Sequence, residues 1–186
     1  MNTTSNLLNT NTSLLLIIDI QEKLLNAQFE REEVAKNSTI LASTAKILNI
    51  PVVVSEQYPK GLGLTIESIK ENLPEDAKFF EKTSFNCCLE DGFINLIKSF
   101  DKKQILVCGI ESHVCVHQTV SELISLGYEV HLVQDAISSR KEYEYKTGLQ
   151  RMINYGAIPS CTEMVLFEFL KCTKHPEFKS IQGLIK

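Results

Sequence analysis

Two hydrophobic periods alternate along the chain. Short apolar, β-branched runs stand at Leu14–Ile18 (LLLII), Val52–Ser55 (VVVS), Lys78–Glu81 (KFFE), Ile105–Cys108 (ILVC), Val130–Val133 (VHLV) and Ala157–Cys161 (AIPSC). Continuous runs of this kind predict strands buried on both faces. Pro159 removes a ladder donor from the last run and moves it to an edge. Between the runs, apolar positions recur at helical spacing. Leu89, Phe93, Leu96, Ile97 and Phe100 share one face, as do Val116, Val120, Leu123 and Ile124, with Gly127 as a stop. Val34, Leu41, Ala45 and Leu48 mark a helix that ends before Pro51, and Lys141–Asn154 and Glu163–Lys171 give two more. Phe178, Ile181, Leu184 and Ile185 form a short amphipathic tail. Strands separated by helices imply βαβ units, hence an α/β fold of three layers with a parallel sheet covered on both faces. The 186 residues fit one domain, 1–186, with residues 1–12 flexible. The longest irregular stretch is Glu56–Asp76.

Composition removes several alternatives. The apolar fraction of 44% and the charged fraction of 23% are those of a globular chain, which excludes collagen, coiled coil and disorder. With 19 basic against 23 acidic residues, net −4, and no Lys/Arg run, binding of nucleic acid through its phosphates is not expected. No apolar run approaches the roughly 18 residues of a membrane span, and the first ten residues lack a basic leader region. The six cysteines include no C-x-x-C pair, which disfavours a disulfide framework, a zinc ribbon and a thioredoxin-type site. Free cysteines in apolar runs behave as small hydrophobes, and a reducing, cytoplasmic compartment is expected.

Open parallel sheets place their sites outside the C-terminal ends of the strands. Those ends carry Asp19; Glu56, Gln57 and Tyr58; Glu81 and Lys82; the stretch Gly109 to Cys115; and Gln134 and Asp135. Ser112 reads as an N-cap, with a helix starting at His113 and Cys115 at its third position. Free N–H groups and the helix dipole there favour a thiolate, and can receive an oxyanion. The alternative is a small residue packed under the helix start. Asp19 follows five apolar residues and needs a partner, unless it caps a short helix at Gln21–Leu25. Lys82, between FFE and SF, is either a site cation or a solvated lysine. Together the three make a nucleophile, a proton-accepting carboxylate and a cation that keeps the carboxylate ionised.

Other signals carry less. His113-x-Cys115-x-His117 has the composition of a metal site, but residues two apart on a helix point to different sides. Gly61-Leu62-Gly63 is too short for a phosphate loop, and no G-x-G-x-x-G follows the first strand. Asp135 reads as a cap or turn residue, and Cys87-Cys88 as packing.

The segments LLLIIDIQEKLL, VVVSEQYPKGLG, FEKTSFNC, ILVCGIESHVCVHQTV and HPEFKSIQGLIK occur in this order over nearly the whole chain. In them the sequence resembles the isochorismatase-like hydrolases, the cysteine hydrolase superfamily. The phrase EQYPKGLG and the HPEFK tail are most similar to the isochorismatase-domain-containing branch, most of whose members have no assigned substrate. The resemblance implies a Rossmann-like sheet of six parallel strands in the order 3-2-1-4-5-6. It also implies a triad of Asp19, Lys82 and Cys115. A cis peptide between Ile110 and Glu111 would aim the N–H groups of Glu111 and Cys115 at one oxyanion. Nicotinamidases of this superfamily hold a metal through an Asp-x-His element after the second strand. Here that stretch reads Ser55-Glu56-Gln57-Tyr58-Pro59, and the four histidines, His113, His117, His131 and His175, lie elsewhere. No metal and no cofactor are therefore expected. Some relatives that cleave the isochorismate enol ether lack the cysteine; its presence at 115 points to attack on a carbonyl or nitrile-like carbon.

The expectation is a hydrolase for a small-molecule substrate, opening an amide or related C–N bond through a thioester. Gln21, Tyr58, Phe85, Glu111 and His113 would line its pocket. The resemblance implies a homo-oligomer, and no nucleic acid or membrane partner is expected. Two rival readings of the same fold are a non-catalytic interaction module and a redox-responsive thiol protein.

Overall fold

The computed structural model describes residues 6–186. Among them, the apolar runs become six strands: β1 (Ser13–Ile18), β2 (Val52–Gln57), β3 (Lys78–Lys82), β4 (Gln104–Ile110), β5 (Glu129–Ser138) and β6 (Ile158–Ser160). They pair in parallel in the order β3-β2-β1-β4-β5-β6, the order that the resemblance implies. The helices between them are α1 (Glu22–Leu25), α2 (Arg31–Leu48), α3 (Pro59–Leu62), α4 (Glu67–Lys70), α5 (Phe93–Ser99), α6 (His117–Ser125), α7 (Glu142–Tyr155), α8 (Thr162–Leu170) and α9 (Phe178–Gly183).

Alternate residues of each central strand feed two cores, because successive side chains point to opposite faces. Leu15, Ile17, Val52, Val54, Leu106 and Cys108 pack against α2, α8 and α9. Leu14, Leu16, Ile18, Val53, Ile105 and Val107 pack against α5, α6 and α7. This explains why β1 reads as an unbroken apolar run. Strand order reverses between β1 and β4, so the chain leaves their C-terminal ends in opposite directions and opens a crevice there. The register Ile18↔Gly109 brings Asp19 and the segment after Ile110 to that crevice.

Several boundaries differ from expectation for identifiable reasons. β5 does not stop at Val133: after a register shift, Ile137 and Ser138 pair with Gly109 and Ile110. The polar pair Gln134-Asp135 masks this continuation. Asp135 is a cap, as expected: its Oδ1 accepts from the N–H (2.8 Å) and hydroxyl (3.0 Å) of Thr162, at the start of α8. Leu89 leaves the helical face predicted for it. It ends a 3₁₀ turn, Cys87–Leu89, stands 70% exposed, and Gly92 (φ 88°) redirects the chain before α5 begins. Within Glu56–Asp76 the chain makes two single helical turns, α3 and α4. The flexible 1–12 segment is corrected from Leu8 onward. Leu8 is buried and its N–H donates to Glu168 (2.9 Å), while the Asn9 N–H donates to Gln104 (3.0 Å); residues 1–5 lie outside the described ones. Among the described residues no helix is long and apolar enough to cross a membrane.

One glycine governs the central strand pair. Gly109 has φ 142°, and a Cβ there would lie 2.3 Å from the carbonyl oxygen of Ile18. Both the left-handed backbone and the contact forbid a side chain. Gly109→Ala is expected to lower stability by about 3 kcal/mol or more, through strain and forced separation of β1 from β4. Urea unfolding monitored by circular dichroism measures this, and an unchanged midpoint would contradict it.

Candidate active site

Asp19 sits one residue past β1 with φ 55°, a left-handed conformation that Asp tolerates better than most residues. Its N–H donates to the Ser55 carbonyl (3.1 Å), so its side chain turns across the sheet end rather than along the chain. One carboxylate oxygen, Oδ2, lies 2.7 Å from Lys82 Nζ; the other, Oδ1, accepts from the Ser55 hydroxyl at 2.7 Å. Asp19 does not cap α1, whose N-cap is Gln21.

Lys82 ends β3 and stands beside Gln57 of β2 in the register. Its ammonium also donates to Gln57 Oε1 (2.6 Å) and to the carbonyls of Ser84 (3.2 Å) and Phe85 (3.4 Å). Both charged side chains are 0% exposed. Burial, the largest single influence, pulls the Lys82 pKa down, but the charge of Asp19, the neighbouring Cys87 and Cys115 and the hydrogen bond to Asp19 together more than offset it, and the net shift is upward. Lys82 therefore stays an ammonium, and the solvated-lysine alternative is excluded by its burial.

Cys115 reaches the same point from β4. The segment Ser112–Val116 is a wide π-type turn, in which the Glu111 carbonyl accepts the N–H of both Val114 (3.0 Å) and Val116 (3.2 Å). Such turns are uncommon and concentrate at functional sites. Ser112 is therefore not the N-cap expected for it: Glu111 precedes the turn, and the Ser112 hydroxyl lies 2.5 Å from that of Ser139. The peptide between Ile110 and Glu111 is cis, as the resemblance implies.

The electrostatics of Cys115 run opposite to the expectation of a resting thiolate. The residue is 6% exposed. Burial first, then the charge of Asp19, push its thiol far above the ordinary value of 9.0. Lys82 pulls the other way, and a hydrogen bond to Asp19 adds to the rise. One short turn cannot outweigh desolvation plus a carboxylate. At neutral pH Cys115 is a thiol whose proton faces Asp19.

Around this triad the expected pocket residues divide. Gln21 is a wall: its Nε2 donates to the carbonyls of Gln57 (3.0 Å) and Gly63 (2.6 Å), and its Oε1 accepts the Gln57 N–H (2.7 Å). Tyr58 and Phe85 stand on the β2–β3 side, each 56% exposed. Tyr58 lines a cleft with Lys82, Thr83 and Glu90, its ring folded over Gly61. Glu111 is buried, its carboxylate gripped by Arg140 through Nε and through Nη2 at 3.2 Å. His113 Nδ1 lies 2.9 Å from the Ser139 hydroxyl. His117 instead faces the Tyr155 ring, so the two histidines diverge.

Sequence reasoning overlooked Ser55, Ser139, Arg140 and Gly148 as parts of the site, and placed Gln57 at the strand ends without giving it a role. The strand-end list began at Glu56, one residue past the partner of Asp19, and placed the end of β5 five residues early. Glu56 itself is a structural acceptor for the N–H and hydroxyl of Thr65, both at 2.7 Å. Cys87, read as packing, is fully buried and also borders the charged pair. Burial raises its thiol to about 11, Lys82 lowers it and Asp19 raises it.

Comparison with known proteins places the chain in a family. The profile described as the isochorismatase domain matches residues 13–164. Isochorismatase family protein 1A of Dictyostelium discoideum is 39% identical over 180 residues, covering 95% of this chain and 87% of that protein. Isochorismatase domain-containing protein 2 of Danio rerio is 39% identical over 178 residues, 96% of this chain and 89% of that one. The solved structure titled MAR1 ribonuclease from Caenorhabditis elegans has a TM-score of 0.90 at 37% identity, covering 96% of this chain and 91% of that one. The chain belongs to the isochorismatase family, and its sheet order is that of the family's α/β fold.

The shifts fix the sign of a pH experiment. Alkylation needs the thiolate, so the Cys115 rate should still be climbing about tenfold per pH unit at pH 9. Asp19→Asn removes a charge that raises the thiol and should move the profile to lower pH. Lys82→Met removes the charge that lowers it and should move the profile higher. Iodoacetamide labelling with peptide mapping, on variants shown to be folded, reads both; shifts in the same direction would contradict the assignment.

Proposed function

We propose that the protein is a cysteine hydrolase that opens an amide or related C–N bond of a small molecule. The observation that carries this is the solvent-free Asp19–Lys82 pair with the Cys115 thiol directed at its carboxylate. Asp19 takes the thiol proton and the sulfur attacks the carbonyl carbon. The N–H groups of Glu111 and Cys115 hold the resulting oxyanion. The C–N bond breaks as Asp19 returns the proton to the leaving amine. Water, deprotonated by Asp19, then attacks the thioester; the C–S bond breaks and the thiol regains its proton. Lys82 stays beside Asp19 as a fixed positive charge while the carboxyl group takes up and returns the proton. No metal enters this cycle.

The C. elegans neighbour is described as a ribonuclease. Phosphodiester chemistry calls for cations free to meet phosphate. Here Lys82 is buried against Asp19 and Arg140 is paired with Glu111, in a chain of net charge −4. These features favour the C–N bond. Six free cysteines, one of them exposed, support a reducing cytoplasmic setting. The homo-oligomer belongs to the same proposal, supported by exposed apolar side chains in the segments that follow β2 and β3, among them Leu64 and Leu89.

Ammonia release from a panel of small primary amides, with intact-mass analysis of acid-quenched samples, tests the proposal. Expected are an acyl adduct on Cys115 and a fall of more than about 10³-fold in Cys115→Ala. Release that survives Cys115→Ala would overturn the nucleophile. No release from any amide, together with peroxide-dependent oxidation of Cys115, would favour the redox reading instead.

A further inference from the structure

Two consecutive residues after β5 hold three consecutive residues of the nucleophile turn. Arg140 grips the Glu111 carboxylate with two N–H groups, Nε to Oε1 and Nη2 to Oε2 (3.2 Å). The Ser139 hydroxyl lies 2.5 Å from that of Ser112 and 2.9 Å from His113 Nδ1. The pair is itself anchored: the Ser139 carbonyl accepts the Phe29 N–H (2.8 Å), and the Ser138 hydroxyl donates to the Phe29 carbonyl. On the far side, Gly148 of α7 presses bare backbone onto the turn. A Cβ there would lie 2.7 Å from the Ser112 oxygen and 3.0 Å from the His113 nitrogen.

We infer that Ser139 and Arg140 are positioning residues, a clamp that fixes the N–H groups of Glu111 and Cys115 where the carbonyl oxygen gathers charge. The inference rests on the hydrolase reading above. A π-type turn has a poorer hydrogen-bond framework of its own than a regular helix, so its geometry must be imposed from outside. Oxyanion donors act only within a narrow distance of the charge that develops. An ion pair whose guanidinium is 61% exposed contributes little to fold stability. The Glu111 carboxylate, by contrast, is only 9% exposed, and a planar two-pronged grip sets its orientation as a single ammonium would not. The fork therefore serves orientation of the turn rather than cohesion of the fold.

The test compares two alkylating probes at Cys115. When the sulfur adds to the β-carbon of acrylamide, the C=C electrons move to the amide oxygen, which becomes an enolate that N–H donors can hold. The α-carbon is then protonated. Iodomethane forms the same kind of C–S bond while iodide leaves, and puts no charge on an oxygen. Rates for both probes are measured by peptide mapping across pH in the wild type, Arg140→Ala and Arg140→Lys. The clamp predicts that both variants lose about 10–100-fold of the acrylamide rate. It also predicts an iodomethane rate within about twofold of wild type and an unmoved pH profile. If both probes slow equally, or the iodomethane profile shifts, Arg140 acts on the thiol or the fold and the clamp is wrong. If neither rate changes, it is wrong as well. If wild-type Cys115 favours acrylamide over iodomethane no more than free cysteine does, the oxyanion site fails and the clamp fails with it. A wild-type preference that survives in Arg140→Ala removes the clamp alone.

Discussion

The contact between Lys82 and Asp19 organises the sheet edge. Two opposite charges held at 2.7 Å with no solvent exposure are costly to assemble, because desolvation consumes most of their attraction. Removing one partner of such a pair typically costs about 3–5 kcal/mol, yet an apolar pair in the same space is often as stable or more so. Stability alone does not account for it. The pair holds together because neighbouring strand ends supply its surroundings: β1 gives Asp19, β2 gives the Ser55 hydroxyl and Gln57 amide, and β3 gives Lys82. The registers Ile18↔Ser55 and Gln57↔Lys82 place these groups side by side. Strand order 3-2-1 is thus the geometric condition for the charge pair, and β4 beside β1 is the condition for the thiol to meet it.

The thiol and the carboxylate lie close together in a space almost closed to solvent. Burial and Asp19 keep the proton on sulfur, and Lys82 stays charged beside the carboxylate. On the proposed mechanism the nucleophile is released when the proton crosses to Asp19. Reactivity is therefore stored in geometry: in the π-type turn, in Gly148 pressed against it, and in the residues after β5.

Legibility in the sequence followed burial. β1, β2 and β4 are buried on both faces and their continuous apolar runs announce them. β3 is an edge strand, exposed along much of its length, and was legible only from KFFE. Asp19 stood out because a charge after five apolar residues demands a partner, and Lys82 because it ends a strand. The clamp was hidden because Gln134 and Asp135 look like the end of β5, although the backbone continues to Ser138. Ser112 looks like a cap in any one-dimensional reading; that its hydroxyl faces Ser139 depends on a residue 27 positions away. The protonation state of Cys115 was misjudged because helix position is visible in a sequence, whereas burial beside a carboxylate is a property of the packed sheet.

The central claim is that Cys115 rests as a thiol held against Asp19. Raman spectroscopy of the S–H stretch at neutral pH, taken as the difference between wild type and Cys115→Ser, reads that proton directly. The account predicts a Cys115 S–H band, displaced to lower frequency by donation to the carboxylate, that moves back when Asp19 is replaced by Asn at a pH low enough to keep the thiol protonated. Absence of any Cys115 band in the wild type would mean a resting thiolate, and would contradict the account.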